Sequence, residues 1–528
     1  MASSVPVSRR RILTVAAAGG LVAATGSWRA VAARAATVAG SAPRLAVDPF
    51  ALGVASGDPG ADGVVLWTRL TQDPAAVAGG MPPVDVPVRW MVARDEGMRR
   101  IVAGGRVAAT PEAAHSVRVV VEGLEPDRPY WYRFVVGDHE TPVARTRTFP
   151  AANRRADRLD FAVTSCQNYR DGYYNAWADV AADEDLDAVL FLGDYIYESG
   201  EGMGAVRAHP IAEVVTLDEY RARYALYRGD ANLQAAHAVA PWLVVWDDHE
   251  VDNNYQGTSP EVGSPTSDPA AFLARRAAAY RAWWEHMPTR LAPPTGPDLP
   301  IHRRADFGRL ARFHLLDTRQ YRSNQPCAPA NDVGPVCAEA RGPDLTVLGD
   351  AQERWLDAGL RSSGASWDLL GQQVTFSQLA FSPGPDGVRN LDQWDGYPDA
   401  RRRMIDAWRR AGIKNPVVLT GDIHANIVGD VTADFDDPQA PHVGTELVGT
   451  SISSSAPAVL QQVLTDVVGR SPHLRWADAT ARGWLRATVT PEVLQADYRT
   501  VDDNRVEGSP LRTARSFVVE SGGSVTEA

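Results

Sequence analysis

Residues 189–198 have the sequence VLFLGDYIYE, a short apolar run that ends in a glycine, an aspartate and two aromatic residues with hydroxyl groups. An apolar run of this length, bounded by a turn signal, is typical of a buried strand. Ligands bind at the carboxyl ends of the strands in open α/β sheets. We therefore predict that Asp194 lies in a crevice at such an edge.

Two further stretches repeat this pattern. Residues 417–424 are VVLTGDIH, and residues 243–250 are LVVWDDHE. Each motif alone is a weak signal. Because buried carboxylates without a partner cost free energy, three strands that end in Asp, or in Asp with His, are hard to explain by core packing. We interpret the three strand ends as the walls of one metal site.

Composition limits the class of protein. The chain has 528 residues, of which 45% are hydrophobic and 22% charged, so we expect a soluble globular protein with two domains or one large domain with an appendage. Its net charge of −12 argues against a general nucleic-acid-binding protein. Lys414 is the only lysine, so individual arginines are too common to indicate function.

The amino terminus predicts export. Residues 8–13 are SRRRIL, an apolar small-residue stretch follows at 14–25, and Ala33-Arg34-Ala35 offers a cleavage site. We interpret residues 1–36 as a twin-arginine signal that engages the twin-arginine export machinery, with a general secretory signal as the alternative. Either signal predicts a secreted protein, extracellular or on the cell-wall side. We expect no transmembrane segment, because the apolar stretch is too short for a span.

The three cysteines predict one disulfide and one free thiol. Cys327 and Cys337 flank a loop that contains Pro, Ala and Gly, so we expect them to pair. Cys166 is left single at the end of a predicted strand. A free thiol in an oxidising compartment is usually protected, and coordination to a metal is one way to protect it.

Residues 50–150 are predicted to form a small all-β domain, similar to fibronectin or immunoglobulin modules, with a positioning or lid role. Gly, Asp and Pro turns separate its apparent strands at the intervals of a sandwich. Residues 123–126 resemble the E–F corner of fibronectin type III modules. The predicted strands are 64–70, 86–93, 116–121 and 130–136.

Residues 158–518 have a different composition, with strands that end in polar residues and alternate with helical patterns. This alternation predicts an α/β sheet, in the form of a two-sheet sandwich flanked by helices. We expect Asp218 to cap the helix at 217–226 and the tail from Ser521 to be disordered. The other predicted elements are strands at 159–164, 310–316 and 367–370 and helices at 174–184, 272–286 and 399–411.

The strand-end side chains are carboxylates, imidazoles, a phenol and a thiol, which together are typical metal ligands. Thiolate and phenolate donors favour Fe(III), whereas the Asp and Asn oxygens suit Ca²⁺. The groups are Cys166, Asp194 with Tyr197, Asp248 with His249, and Asp422 with His424.

Six motifs together resemble those of the PhoD family of alkaline phosphatases, a divergent branch of the calcineurin-like metallophosphoesterases. The resemblance runs from about residue 50 to residue 517. It implies a metallophosphoesterase-like four-layer α/β sandwich that holds Fe(3+) and Ca(2+). The motifs are SCQN (165–168), GDYIYE (193–198), WDDHEVDNN (246–254), DTRQYR (317–322), DQWDGY (392–397) and GDIH (421–424).

The resemblance also implies a ligand set. It assigns an iron site that shares Asp194 with calcium, and a calcium-site aspartate at Asp395, for which Asp392 is the alternative. Where ordinary calcineurin-like enzymes have Asp-x-His, this chain has Ser165-Cys166, which favours an iron–thiolate centre. Spacing leaves open which side chains near Asp248 reach a metal. The implied ligands are Cys166, Asp194, Tyr197, Asp248, Asn254, Asp395, Asp422 and His424.

We therefore expect a secreted metal-dependent phosphoester hydrolase, an alkaline phosphatase that releases phosphate from phosphomonoesters, with diesters as further substrates, through attack of a metal-bound hydroxide. The alternative is a phosphodiesterase of the phospholipase D type that acts on phospholipid headgroups. A different class, a carbohydrate- or surface-binding protein with a dead metal site, conflicts with the intact series of ligands.

Two residues are candidates for catalysis. His249 would protonate the leaving group or orient another ligand. Arg319 would hold phosphate or pair with a carboxylate such as Asp317. Cys166 could instead be a covalent nucleophile, but it lacks the cationic surroundings that lower a thiol pKa.

Overall fold

The computed structural model describes residues 43–199, 205–210, 212–327 and 332–528. The predicted signal at 1–36 lies outside the described residues. Strands are the main elements of the described chain. In chain order they are β1 (Val54–Gly57), β2 (Gly63–Arg69), β3 (Val86–Ala93), β4 (Ile101–Ala109), β5 (Ser116–Glu122), β6 (Arg128–Val136), β7 (His139–Glu140), β8 (Ala144–Thr148), β9 (Leu159–Thr164), β10 (Ala188–Phe191), β11 (Trp242–Val244), β12 (Arg303–Phe307), β13 (Ala311–Leu315), β14 (Val333–Pro335), β15 (Trp367–Gly371), β16 (Val388–Asn390), β17 (Pro416–Thr420), β18 (Asn426–Thr432), β19 (His442–Val448), β20 (Leu474–Asp478), β21 (Arg482–Val489), β22 (Val493–Val501), β23 (Leu511–Glu520) and β24 (Val525–Glu527).

Seven α-helices accompany these strands in the described part of the chain. Asp218 is not the cap of the second helix: the Thr216 hydroxyl accepts from the Glu219 N–H, and the Glu219 carboxylate accepts from the Thr216 N–H, so the capping box begins two residues earlier. The helices are α1 (Asn175–Ala182), α2 (Leu217–Arg228), α3 (Ala231–Val239), α4 (Pro269–His286), α5 (Gly349–Arg361), α6 (Pro398–Ala411) and α7 (Leu460–Arg470).

The first of two large sheets has ten strands in the order β24-β23-β22-β21-β9-β10-β11-β1-β2-β5. Strands β9, β10 and β11 run parallel at its centre, and all of their residues are buried. A strand covered on both faces is expected to be a continuous apolar run. The carboxyl ends of these strands meet at one edge, which is where the predicted motifs begin.

The second sheet has seven strands in the order β12-β13-β15-β17-β19-β18-β20, and β13, β15, β17 and β19 are parallel. The two sheets share one core, in which the rings of Phe161 and Phe313 pack edge-to-face at 5.2 Å. Trp177 of α1 stacks on Phe191 outside the first sheet. Met404 and Trp408 of α6 belong to the core outside the second sheet. These layers confirm the predicted four-layer α/β sandwich.

The predicted amino-terminal strands form, but they belong to two sheets. Strands β3 and β6 lie in a five-stranded sheet, whereas β1, β2 and β5 extend the ten-stranded sheet through the parallel pair of β1 with β11. All of them bury side chains in one cluster. The Tyr130 hydroxyl accepts from the Glu125 N–H at 2.8 Å, as a fibronectin-like corner would. A separate domain at 50–150 stays a prediction.

The predicted disulfide and the predicted free thiol are both confirmed, and the prediction of a disordered tail is wrong. Cys327 and Cys337 form a disulfide, and Cys166 is a buried free thiol. The tail from Ser521 is not disordered, because β24 pairs with β23 and Val525 is buried in the main core. Within the described residues, no helix is long and apolar enough to cross a membrane.

Candidate metal centre

The candidate ligands occur where the chain turns sharply after a strand. Among the described residues, ten that are not glycine have positive φ, and five of these ten are predicted metal ligands. A left-handed conformation costs a non-glycine residue about 1–2 kcal/mol, and such residues concentrate at functional sites. The five are Cys166 (58°), Asp194 (59°), Asn254 (48°), Asp422 (62°) and His424 (55°).

These turns bring the side chains into one connected group, which we call the acidic cluster. Three sets of three residues could each hold a metal ion, and within each set the possible ligand atoms lie within 4.8 Å of one another. Asp194 belongs to two of the sets, and so does Asp248. The sets are Cys166 with Asp194 and His424, Asp194 with Asp248 and His249, and Asp247 with Asp248 and Asp422.

Tyr197 joins the first set through hydrogen bonds. Its hydroxyl donates to Asp194 Oδ2 at 2.9 Å, lies 3.1 Å from His424 Nε2 and accepts from Ser454 Oγ at 2.7 Å. Burial and the Asp194 carboxylate raise the pKa of both Tyr197 and Cys166. A bound cation would offset this by favouring the anionic forms of both groups.

Three buried carboxylate oxygens accept no hydrogen bond, so the residues fit a cation. They are Asp194 Oδ1, Asp247 Oδ2 and Asp248 Oδ1, and the last of them lies 3.6 Å from Arg319 Nη2. Such groups are uncommon in folded proteins, and an ion is one explanation for them. Burial and Arg482 also lower the pKa of His424 to about 3, so its imidazole is neutral, as a metal ligand must be.

Arg319 lies beneath the cluster and is fully buried. Its guanidinium donates to carboxylates of three segments, with Nη1 2.8 Å from Asp392 Oδ2, Nη2 2.9 Å from Asp422 Oδ1, and Nε bonded to Asp247 Oδ1. The Asp317 carboxylate instead accepts the N–H of Arg319. Arg319 therefore pairs with carboxylates of the cluster, not with Asp317.

A cavity of about 640 Å³ opens on the cluster. This volume lies within the range of about 300–1,000 Å³ that is typical of ligand pockets. Asp194, Asp248, His249, Asp422 and His424 all line it. The acidic cluster is therefore accessible to a small ligand.

Two models of known protein families match this chain. The model of the PhoD-like phosphatase family matches residues 161–498, which is more than half of the chain, and the model of the family's N-terminal domain matches residues 34–150. This chain belongs to the PhoD-like phosphatase family. Membership confirms the resemblance, the fold class and the expectation of a phosphoester hydrolase.

Two similar proteins extend the match over most of the chain. Alkaline phosphatase D of Bacillus subtilis (strain 168) is 46% identical over 489 residues, which are 91% of this chain and 82% of that protein. The solved structure of PhoD has a TM-score of 0.87 at 44% identity and covers 92% of this chain and 93% of that one.

His249 lines the cavity beside the acidic cluster of this PhoD-like phosphatase. Its Nδ1 lies 2.6 Å from Glu198 Oε2, and its ring lies 4.0 Å from the ring of Tyr197. Burial lowers its pKa, but the carboxylates of Glu198, Asp194 and Asp248 outweigh burial and raise the pKa above the ordinary value.

The structure brings Asn254 and Asp392 to the site, but not Asp395. The Asn254 N–H donates to Asp248 Oδ2 at 2.7 Å, and its side chain lines the cavity beside Asp392. Asp395 lines a separate cavity. Its carboxylate accepts from Arg401 at 2.6 Å and from the Leu379 N–H at 2.8 Å. Asp392 lines the main cavity, and its carboxylate accepts from Arg319 and Arg322. The calcium-site aspartate therefore stays a prediction, with Asp392 as the alternative to Asp395.

Sequence reasoning missed Glu250, which ties two of the turns together. It is fully buried, and its carboxylate accepts the N–H groups of Asp194 (3.1 Å), Tyr195 (2.7 Å) and Asp247 (2.9 Å). The sequence held a signal, because a carboxylate six residues after the buried strand β11 can satisfy the N–H groups of the turn. Ser454 was also missed, since nothing distinguishes it within the Ser-rich stretch at 451–455.

Proposed function

We propose that this protein is a metal-dependent alkaline phosphatase that releases phosphate from phosphomonoesters, with diesters as further substrates. The single observation that carries the proposal is the acidic cluster, where carboxylate oxygens without hydrogen-bond partners line an accessible cavity. The similar Bacillus protein is named as an alkaline phosphatase. The comparisons do not favour the phospholipase D-type alternative.

We propose two kinds of metal position. Cys166, Asp194, Tyr197 and His424 would hold Fe(III), because thiolate and phenolate stabilise the trivalent ion. Oxygen donors from Asp194, Asp248, Asn254 and Asp422 would hold Ca²⁺, with Asp392 as a further candidate in place of Asp395. Such cations polarise phosphoryl oxygens and lower the pKa of bound water.

The residues around the metal positions orient the reacting groups. His249, held through Nδ1 by Glu198, would donate a proton to the leaving alkoxide. Arg319 fixes Asp247, Asp392 and Asp422, so its role is to position carboxylates and not to contact phosphate. The Gln393 side chain donates to Asp422 Oδ2 at 2.7 Å and fixes the other oxygen of that carboxylate.

We further propose that residues 1–36 direct twin-arginine export, so that the mature protein acts outside the cytoplasm. Residues 50–150 would form an N-terminal domain and residues 158–518 the catalytic domain. The Cys327–Cys337 disulfide supports an oxidising compartment.

Substrate comparison tests the function. The purified protein is assayed with p-nitrophenyl phosphate, bis(p-nitrophenyl) phosphate and phosphatidylcholine vesicles. The proposal predicts the highest kcat/KM on the monoester, with activity lost after prolonged incubation with a chelator. Hydrolysis of the phospholipid alone would refute it. Fe(III) bound to thiolate and phenolate should also give a visible charge-transfer absorption that weakens in Cys166→Ser and Tyr197→Phe.

A further inference from the structure

The cavity at the acidic cluster has an apolar wall as well as polar ligands. Seven of its lining residues are valine, leucine, isoleucine or phenylalanine, and they come from four segments of the chain. We call this set the apolar wall; its members are Val333, Phe381, Val388, Ile423, Val459, Leu460 and Val463.

The start of α7 supplies three members of the wall: Val459 at the N-cap, with Leu460 and Val463. Val459, Val463, Asp466 and Arg470 line the cavity and recur every three or four residues, which is the spacing of one helical face. Leu464 and Val467 are buried in a separate core cluster. Leu460 and Val463 are partly buried and pack against that core, so the wall continues from the core into the cavity, whereas Val459 is exposed.

Hydrogen bonds fix the segment that carries Phe381 and Val388. Arg470 donates from Nε to the Ala380 carbonyl at 3.0 Å and from Nη2 to the Phe381 carbonyl at 2.8 Å. The Phe381 N–H donates to the Val388 carbonyl at 3.0 Å. The segment at 380–388 is thereby tied to the end of α7. The wall is preformed, as ligand sites usually are.

The wall adjoins the candidate ligands. Ile423 lies between Asp422 and His424 in the chain and lines the same cavity as both. Val459 is 66% exposed, and an exposed apolar side chain in a cavity is typical of a surface that a ligand covers. The five heavy atoms of a phosphate fill roughly 150 Å³ at the packing of liquid water, which leaves most of the 640 Å³ for cations and another group.

We propose that the apolar wall binds the alcohol part of the substrate, so that the enzyme prefers phosphoesters of apolar alcohols to esters of polyols. The proposal rests on the proposed function, because it assigns the substrate class of that same site. Each methylene buried against the wall should raise kcat/KM by up to about fourfold.

A series of alkyl monoesters tests the preference. Phosphate release is measured from glycerol 3-phosphate, n-butyl phosphate and n-hexyl phosphate, whose leaving groups are all primary alcohols. We expect kcat/KM to rise from butyl to hexyl by about 4- to 15-fold and glycerol 3-phosphate to be the poorest substrate. A flat series, or a preference for glycerol 3-phosphate, would overturn the proposal.

Two variants locate the effect. Val459→Asn and Val463→Asn should lower the ratio of hexyl to glycerol kcat/KM by about 3- to 10-fold, the worth of one or two buried methylenes. Val459 is largely exposed, so its replacement should not disturb folding. The control, Val47→Asn, changes another exposed valine, 47% exposed, that does not line the cavity. An unchanged ratio in both wall variants would contradict the proposal.

Failure of the proposed function gives a different result. If no ester releases phosphate, the function is refuted, and the wall is then tested by calorimetric binding of hexylphosphonate and methylphosphonate to the same proteins. Tighter binding of hexylphosphonate that weakens in Val459→Asn would support the wall. Equal binding of the two phosphonates would overturn it.

Discussion

Glu250→Gln tests how the turns hold the candidate ligands. The Glu250 carboxylate accepts three N–H groups from the turns after β10 and β11, including the N–H of Asp194. Glutamine has nearly the same shape, but its amide nitrogen cannot accept a hydrogen bond. The best orientation keeps the amide oxygen at the two N–H groups of Asp194 and Asp247 and leaves the Tyr195 N–H buried without an acceptor.

The loss can be given a size. One buried donor without a partner costs about 1–3 kcal/mol, which is a factor of roughly 5 to 150 in an equilibrium constant. Substitutions that disturb the support of metal ligands cost about 10- to 100-fold in metal affinity or activity. Both arguments predict that Glu250→Gln needs about 10- to 100-fold more metal for half-maximal activity.

The assay is p-nitrophenyl phosphate hydrolysis by chelator-treated protein, titrated separately with ferric iron and calcium in the presence of the other ion. Asp187→Asn is the matched control, because Asp187 is also buried and accepts from the Asp160 N–H at 3.0 Å, but it lies at the opposite end of β10. The control should lose stability with no change in the metal titration. Equal titration midpoints for wild type and Glu250→Gln would refute the reasoning.

Three further predictions follow from the contacts. Arg319→Ala leaves carboxylates buried without their partner, so the free energy of unfolding, measured by denaturant unfolding, should fall by about 3–5 kcal/mol. A decrease no larger than that of the surface control Arg354→Ala would contradict the pairing. Asp392→Asn should lower bound metal in elemental analysis, whereas Asp395→Asn should not, and the reverse order would restore the original assignment. Replacing Cys327 and Cys337 together by serine opens a loop with a sequence separation of 10, which should cost about 3 kcal/mol; the variant should unfold like reduced wild type, and a midpoint equal to that of oxidised wild type would contradict the prediction.

Much of the site was predictable because buried strands and sharp turns leave local marks. Asp194, Asp248 and Asp422 each follow an apolar run, and their clustering follows from the meeting of parallel strands at one edge. Asp392 and Asp395 lie three residues apart in one loop, and their sequence neighbourhood does not tell which of them faces the cavity. Only the folded structure shows that Asp392 lines the main cavity and that Asp395 pairs with Arg401.

The fold was harder to predict where strand pairing joins segments that are distant in the sequence. The strands at 64–70 and 116–121 were identified, but no local pattern shows that they continue a sheet whose centre is β9 to β11. The pairing of β24 with β23 was missed for the same reason, since three residues become a strand only when a neighbour supplies hydrogen bonds. Glu250 likewise acts on N–H groups whose turns meet only after folding.

The central claim is that the acidic cluster holds the cations on which phosphoester hydrolysis depends. Metal content per chain and kcat/KM for p-nitrophenyl phosphate, measured on the same samples of wild type and Asp194→Asn before and after long chelation, test it most directly. The account predicts that both quantities fall together in the chelated wild type, return together when iron and calcium are restored, and stay low in Asp194→Asn. Full activity in protein stripped of metal, or in Asp194→Asn, would contradict it.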